Sequence, residues 1–233
     1  MSSNKTIKFI LGIMIAAAVP LSFFFVTRHF SDGKLKIPGY YRPEKINSAI
    51  VDGKKVNDTI FHQVKDLHLT NQLGKQISLN KDLRGKILVL DFIFTSCPTV
   101  CPRLTANMNE IQKAYIKKNP DLVQFISISV DTKRDSVPVL RAYANRFNAD
   151  HDRWWFCTGN KDSIFDYAKN ELGLNLDNAD VPDDFVHSQQ MVLLDTVRNI
   201  RGYFDGLDRK ATGRLADDIY ILNIEKRKHH YSK

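Results

Sequence analysis

One stretch leaves this chain few options: Asp91-Phe-Ile-Phe-Thr-Ser-Cys97-Pro-Thr-Val-Cys101-Pro-Arg103. The apolar run 87–94 has strand composition and empties directly into two cysteines four residues apart. Behind it Leu104, Met108, Ile111 and Tyr115 recur at intervals of four, three and four, which is one face of a helix. Pro102 suits the first helical position, where a missing N–H costs nothing. The cysteines therefore sit on a strand-to-helix turn, at or just before a helix N-terminus. The positive end of the helix dipole there favours anions and lowers a thiol pKa. Thiols at this spacing converge on one spot. They can share a metal or bond to each other, the latter when their Cα atoms lie roughly 4.4–6.8 Å apart.

The rest of the composition makes this a site, not a scaffold. A chain of 233 residues, 43% hydrophobic and 26% charged, suits one globular domain with an appendage and needs no disulfide framework. Its three cysteines are the pair and Cys157, which lies between Phe156 and Thr158 and reads as a small buried hydrophobe. The net charge of +8 is dispersed, apart from a cluster at Lys226–His230. No basic stripe interleaves with aromatics, which sets nucleic-acid binding aside.

Taken in order, Phe9–Val26 is free of charge and long enough for an uncleaved membrane-spanning anchor, so residues 1–27 are predicted to form one N-terminal transmembrane helix. Residues 28–60, with no sustained period, are expected to be a tether. Residues 64–79 read as a hairpin about Asn71–Gly74. Buried strands are expected over 87–94 and 122–130, and a shorter one over 154–157. Helices are expected over 102–118 and 162–172, with Gly173 closing the second. Another follows Asp135 or Ser136 as its cap, with Leu140, Tyr143, Ala144 and Phe147 inward. The acidic stretch holding Asp177, Asp180, Asp183 and Asp184 reads as a solvated loop. Strands over 191–194 and 199–204 precede a last helix capped by Asp208, with Leu215, Ile219 and Leu222 inward. The domain thus spans 61–226, and 227–233 is a basic tail. This alternation predicts an α/β, thioredoxin-like fold with a central, mostly parallel sheet flanked by helices. The cysteine turn falls beyond the carboxyl ends of the strands, where open α/β sheets hold their ligands.

Within such folds the chain resembles the SCO/SenC family of copper-binding proteins over about residues 60–225. The matching pieces are Phe94-Thr-Ser-Cys97-Pro-Thr-Val-Cys101-Pro102, Ile126-Ser-Ile-Ser-Val-Asp131 with Arg134-Asp135 just after, and Val186-His187-Ser188 ahead of a strand. Thr99 stands where an acidic residue is common in that family. The resemblance implies copper, as Cu(I) and also Cu(II), bound by Cys97, Cys101 and His187. It implies delivery to the CuA site of a cytochrome c oxidase subunit. Other copper carriers and thiol reductases would be further partners. Thiolates select soft metals such as Cu(I), and imidazole adds a borderline ligand. On this reading the chain is a metallochaperone rather than an enzyme, on the periplasmic side of a bacterial inner membrane.

A second reading comes from Asp91, which stands where thioredoxins carry a buried aspartate behind their redox pair. A buried carboxylate has a raised pKa and can take or return a proton as a thiol attacks or leaves. Cys97 and Cys101 would then form a thiol–disulfide oxidoreductase that keeps the CuA cysteines reduced, with Asp91 as proton acceptor. Two features depart from a thioredoxin. The spacing is C-x-x-x-C, and no proline precedes Met191, whereas His187 lies nearby.

Overall fold

A computed structural model describes residues 3–31, 37–51, 54–116, 122–174 and 189–231. The chain divides into two compact units, Met1–Lys36 and Ile37–Lys233.

The first unit is helix α1, Ser3–Ser31. It covers the predicted anchor, but among the described residues no helix is long and apolar enough to cross a membrane. The transmembrane expectation is corrected to that extent. The apolar stretch is interrupted by Pro20 inside the helix and bounded by Lys5, Lys8 and Arg28 within the same element.

The second unit opens with a surprise. Residues expected to be a tether form a two-stranded antiparallel sheet, β1 (Pro43–Val51) and β2 (Lys54–Phe61), with Ile46 opposite Thr59 and Ser48 opposite Asn57. Away from its base the described side chains of this hairpin are exposed, Ile50 at 80%. Without a buried face there is no selection for hydrophobic alternation, which is why the sequence shows none. The hairpin is fastened at its base. The Arg42 guanidinium donates to the carbonyls of Asn170 and Glu171, and the His62 ring nitrogens face the carboxylates of Glu44 at 2.6 Å and Glu171 at 2.9 Å. The segment ahead of it is held by buried Arg201, which donates to the carbonyls of Pro38 and Gly39 and lies 4.1 Å from the Tyr40 ring centre.

The main sheet has seven strands in the order β4-β3-β7-β6-β5-β8-β9. These are β3 (His68–Asn71), β4 (Gln76–Ser78), β5 (Ile87–Ile93), β6 (Val123–Ser129), β7 (Trp154–Thr158), β8 (Gln190–Leu194) and β9 (Ile200–Asp205). Only β5–β6 and β6–β7 are parallel; the other pairings are antiparallel. The expected mostly parallel sheet is therefore a mixed one. Crossover helices join the three central strands, but both flanks are hairpins, and β8 enters beside β5 in the opposite direction.

Side chains alternate across the sheet, so each strand serves two layers. On β5, Ile87, Val89 and Ile93 join a core with α2 (Val100–Ile116), α3 (Val137–Arg146) and α5 (Arg209–Tyr231). Leu88, Leu90 and Phe92 join a second core with α4 (Lys161–Asp166) and the π-helical turn Tyr167–Glu171 that extends it. Every residue of β5 is buried, which accounts for a run that is apolar but for Asp91. Gly173 ends the π-helical turn with φ of 69°. Cys157 is buried in β7, as expected, and burial pushes its thiol well up. Asp208 caps α5, its carboxylate accepting the N–H groups of Lys210 and Ala211. That helix runs to Tyr231, so residues 227–231 of the expected tail are helical.

Candidate metal and redox site

β5 delivers the chain to the site and α2 takes it away. At the bend the Cys97 N–H donates to the Phe94 carbonyl at 3.2 Å. α2 begins at Val100, two residues earlier than Pro102 suggests, so Cys101 lies within its first turn. The Cys101 N–H then donates to Cys97 Sγ at 3.3 Å. Both thiols are free, and both are shielded, at 4% and 2% exposure. The two predicted residues are thus brought together, at the predicted place in the fold.

Their environments differ in a way that chemistry can use. Burial pushes Cys97 up, but the open N–H groups of Cys101, Thr99 and Val100, with the Cys101 thiol, more than offset this and leave it below the ordinary value. Burial pushes Cys101 far up, and the nearby Cys97 and Asp91 add to it. One thiol is eased towards ionisation and the other is held to its proton.

Asp91 shares the α2-facing side of β5 with Val89 and Ile93, by parity along the strand. It is wholly buried, and neither carboxylate oxygen has a hydrogen-bond partner among the described residues. Burial raises its pKa to about 7, against a weaker opposing pull from Ser127, its partner in the β5–β6 register. The Ser127 hydroxyl also accepts the Trp154 indole N–H at 2.9 Å. Nearby, on α2 and α3, the Thr105 and Tyr143 hydroxyls lie 3.1 Å apart. Burial raises Tyr143 to about 12.

One residue at the site has a place that the sequence does not announce. Asp135, expected as a helix cap, does not cap α3; Ser136 holds that position without a side-chain bond. The Asp135 carboxylate instead accepts the Thr95 N–H at 3.0 Å, the Thr95 hydroxyl at 2.5 Å and the Ser129 hydroxyl at 2.5 Å. Thr95 is forty residues away in sequence, so no local pattern could reveal the contact.

His187 and the acidic residues Asp177, Asp180, Asp183 and Asp184 lie outside the described residues. The chain resumes at Gln189, whose carbonyl accepts the Gly206 N–H at 2.7 Å, while the Gly206 carbonyl accepts from the Asn107 side chain on α2 at 2.7 Å. A Cβ at Gly206 would fall 2.1 Å from Leu104 Cδ1, so only glycine allows this approach. Among the described residues no group of three His, Cys, Asp or Glu side chains is placed to hold a metal. The paired soft sulfurs, one of them already inclined to ionise, nevertheless fit Cu(I) as cargo.

Comparison with known proteins agrees with this geometry. The SCO1/SenC family model matches residues 59–220. The SCO1 protein homolog of Bacillus subtilis (strain 168) is 29% identical over 168 residues, covering 72% of this chain and 86% of that protein. A SCO2-like protein of Rickettsia typhi is 36% identical over 98 residues, covering 42% of this chain and 46% of that protein. A solved SCO1/SenC family lipoprotein from Bacillus anthracis superposes with TM-score 0.64 at 31% identity, covering 70% of this chain and 95% of that one. Bradyrhizobium japonicum ScoI, solved with copper bound, shares the fold at TM-score 0.56 and 24% identity, covering 68% of this chain and 98% of its own.

Proposed function

Because the chain belongs to the SCO1/SenC family, we propose that it is a copper metallochaperone that carries copper on Cys97, Cys101 and His187 and delivers it to the CuA site of cytochrome c oxidase. The observation that carries this reading is the asymmetric dithiol at the start of α2. Cys97 is held towards its thiolate by three backbone N–H groups, and Cys101 sits one helical turn on with its sulfur shielded. Cu(I) supplies a soft acceptor that displaces the Cys101 proton and binds both sulfurs. His187 completes a three-coordinate set that is open enough to pass the metal on. Copper-bound Bradyrhizobium japonicum ScoI has the same fold, in line with such cargo.

The place of work belongs to the same proposal. The uncharged stretch of α1 would carry the domain through an export step, leaving it on the periplasmic face of the inner membrane. Fractionation and protease protection of an epitope-marked chain test this.

Asp91 favours a second reading. An unpartnered buried carboxyl that titrates near neutrality beside Cys101 could take the proton of that thiol as Cys97 and Cys101 give two electrons to a partner disulfide and close their own. This would be a thiol–disulfide reductase acting on the CuA cysteines, and it has no need of His187. The deciding experiment titrates the reduced full chain with Cu(I) against a competing chelator, comparing wild type with His187→Ala and Cys97→Ser. One tight equivalent weakened by both changes supports the carrier. Binding indifferent to His187, or none, leaves the reductase.

A further inference from the structure

We propose that Asp135 is a positioning residue for the thiol pair, fixing the turn that presents Cys97 and Cys101 through its hold on Thr95. The inference rests on the copper-carrier reading for its consequence, though not for its geometry.

The carboxylate is wholly buried, in a place where an unpaired charge is costly unless hydrogen bonds replace water. Among the described residues no cation pairs with it; its neighbour Arg134 turns to Asp131 instead, at 3.4 Å. What compensates it is three donors, and two of these belong to Thr95, two residues ahead of Cys97. The third is the hydroxyl of Ser129, the last residue of β6.

The location explains the need. Pairing of β5 with β6 ends at Ile93 opposite Ser129, with one more bond from the Val130 N–H to the Ile93 carbonyl. Beyond that point the described residues show no further β5–β6 ladder pair, and the Thr95 N–H finds its acceptor in Asp135 instead. Asp135 supplies the acceptor that a further strand residue would have given. It does so from a side chain that α3 does not use as a cap. Its own N–H donates to the Asp131 carbonyl at 2.9 Å, which fixes the carboxylate from behind.

The turn is therefore pinned at Thr95 by Asp135 and at Val100 by the start of α2, with Cys97 between. Pinning both ends holds Cys97 Sγ within reach of the Cys101 N–H and sets its separation from the second sulfur. A ligand pair fixed before binding loses less freedom when the metal arrives.

The test uses the full chain and two readouts: Cu(I) affinity by chelator competition, and the reduction potential of the metal-free Cys97–Cys101 couple. Asp135→Ala, which removes all three bonds, should weaken Cu(I) binding about ten- to hundredfold, the span expected for charge-assisted hydrogen bonds, and Thr95→Val, which keeps the backbone N–H bond, should weaken it by a smaller but measurable factor of about ten. Asp135→Asn, which keeps one acceptor, should fall between Asp135→Ala and wild type. The double variant Thr95→Val/Asp135→Ala should bind no more weakly than Asp135→Ala alone, since the hydroxyl that Thr95→Val deletes has already lost its acceptor there. Freed at Thr95, the turn should close into the disulfide more readily. The potential should then become more negative by at least about 30 mV, a tenfold change in that equilibrium. Affinity and potential matching wild type in Thr95→Val and Asp135→Ala, with only the melting temperature lowered, would overturn the proposal. So would additive losses in the double variant. If Asp135→Ala does not fold, the near-isosteric Thr95→Val decides alone. If wild type binds no Cu(I) tightly, the carrier reading fails and the potential still judges Asp135.

Discussion

The backbone N–H of Cys101 points at the sulfur of Cys97, 3.3 Å away. The residue that follows by one helical turn thus helps to ionise the residue that precedes it, while its own thiol stays protonated in apolar surroundings. A symmetric-looking motif becomes a pair with divided roles.

The division is measurable as reactivity. In reduced, metal-free protein, iodoacetamide should label Cys97 well before Cys101, with a Cys97 midpoint below the ordinary thiol value, when followed by peptide mass mapping from about pH 6 to 10. A lowered folded pKa means that the associated stability is present above the unfolded value and fades as pH falls through the folded one. Equal labelling of the two thiols would contradict the asymmetry.

Asp91 has the opposite sign. Its folded pKa of about 7 lies above the unfolded 3.8, so the native state binds the extra proton between these values and stability declines as pH rises through that window. Asp91→Asn should therefore be more stable than wild type at pH 8 by on the order of 1–4 kcal/mol, and the gap should largely close near pH 4. Urea unfolding of the reduced variants at both pH values checks this. A pH-independent difference would mean that Asp91 does not titrate there.

Gly206→Ala tests the seam between α2 and β8. The new methyl would meet Leu104 Cδ1 at 2.1 Å, Met191 Cε at 3.0 Å and the Gln189 carbonyl at 3.1 Å. Overpacking of this kind costs about 1–3 kcal/mol, or roughly 3–10 °C in melting temperature for a domain of this size. A melting curve that overlays wild type would show that the seam yields freely.

Arg201→Ala removes the anchor of the segment before the hairpin. Buried Arg201 pairs with Asp195 at 3.2 Å and Glu225 at 3.3 Å and holds the Pro38 and Gly39 carbonyls. Breaking a buried pair from one side costs about 3–5 kcal/mol. Limited proteolysis should then cut near residues 37–42 well before the rest of the domain opens. An unchanged cleavage pattern would count against the anchor.

Much of this was readable beforehand, for physical reasons. The turn at Cys97 and Cys101 is visible because a strand buried on both faces leaves a run that is apolar but for Asp91, and a helix leaves a 3.6-residue period. Cys157, the Asp208 cap and the Gly173 stop followed from single-residue chemistry. The β1–β2 hairpin was hidden, because an uncovered hairpin such as that at Ile46 and Ile50 imposes no pattern. The antiparallel entry of β8 depends on long-range pairing with Leu88–Leu90, which composition does not encode. The π-helical turn at Tyr167–Glu171 keeps a helical pattern and so passes for an ordinary helix. Of the two cap candidates Asp135 and Ser136, Ser136 takes the cap position, while the partner of Asp135 lies forty residues away in sequence, beyond any local pattern.

The alternation along β5 has a consequence for how the thiol turn responds to distant change. Val89 and Ile93 face one core while Leu90 and Phe92 face the other, and Phe94 packs against both. Cys97 and Cys101 belong to the first core with Leu104 and Met108, so a cavity there reaches the sulfurs directly, whereas one in the second core reaches them through β5 and Phe94. The second layer is therefore the one whose side chains can change with less effect on the spacing of the two sulfurs.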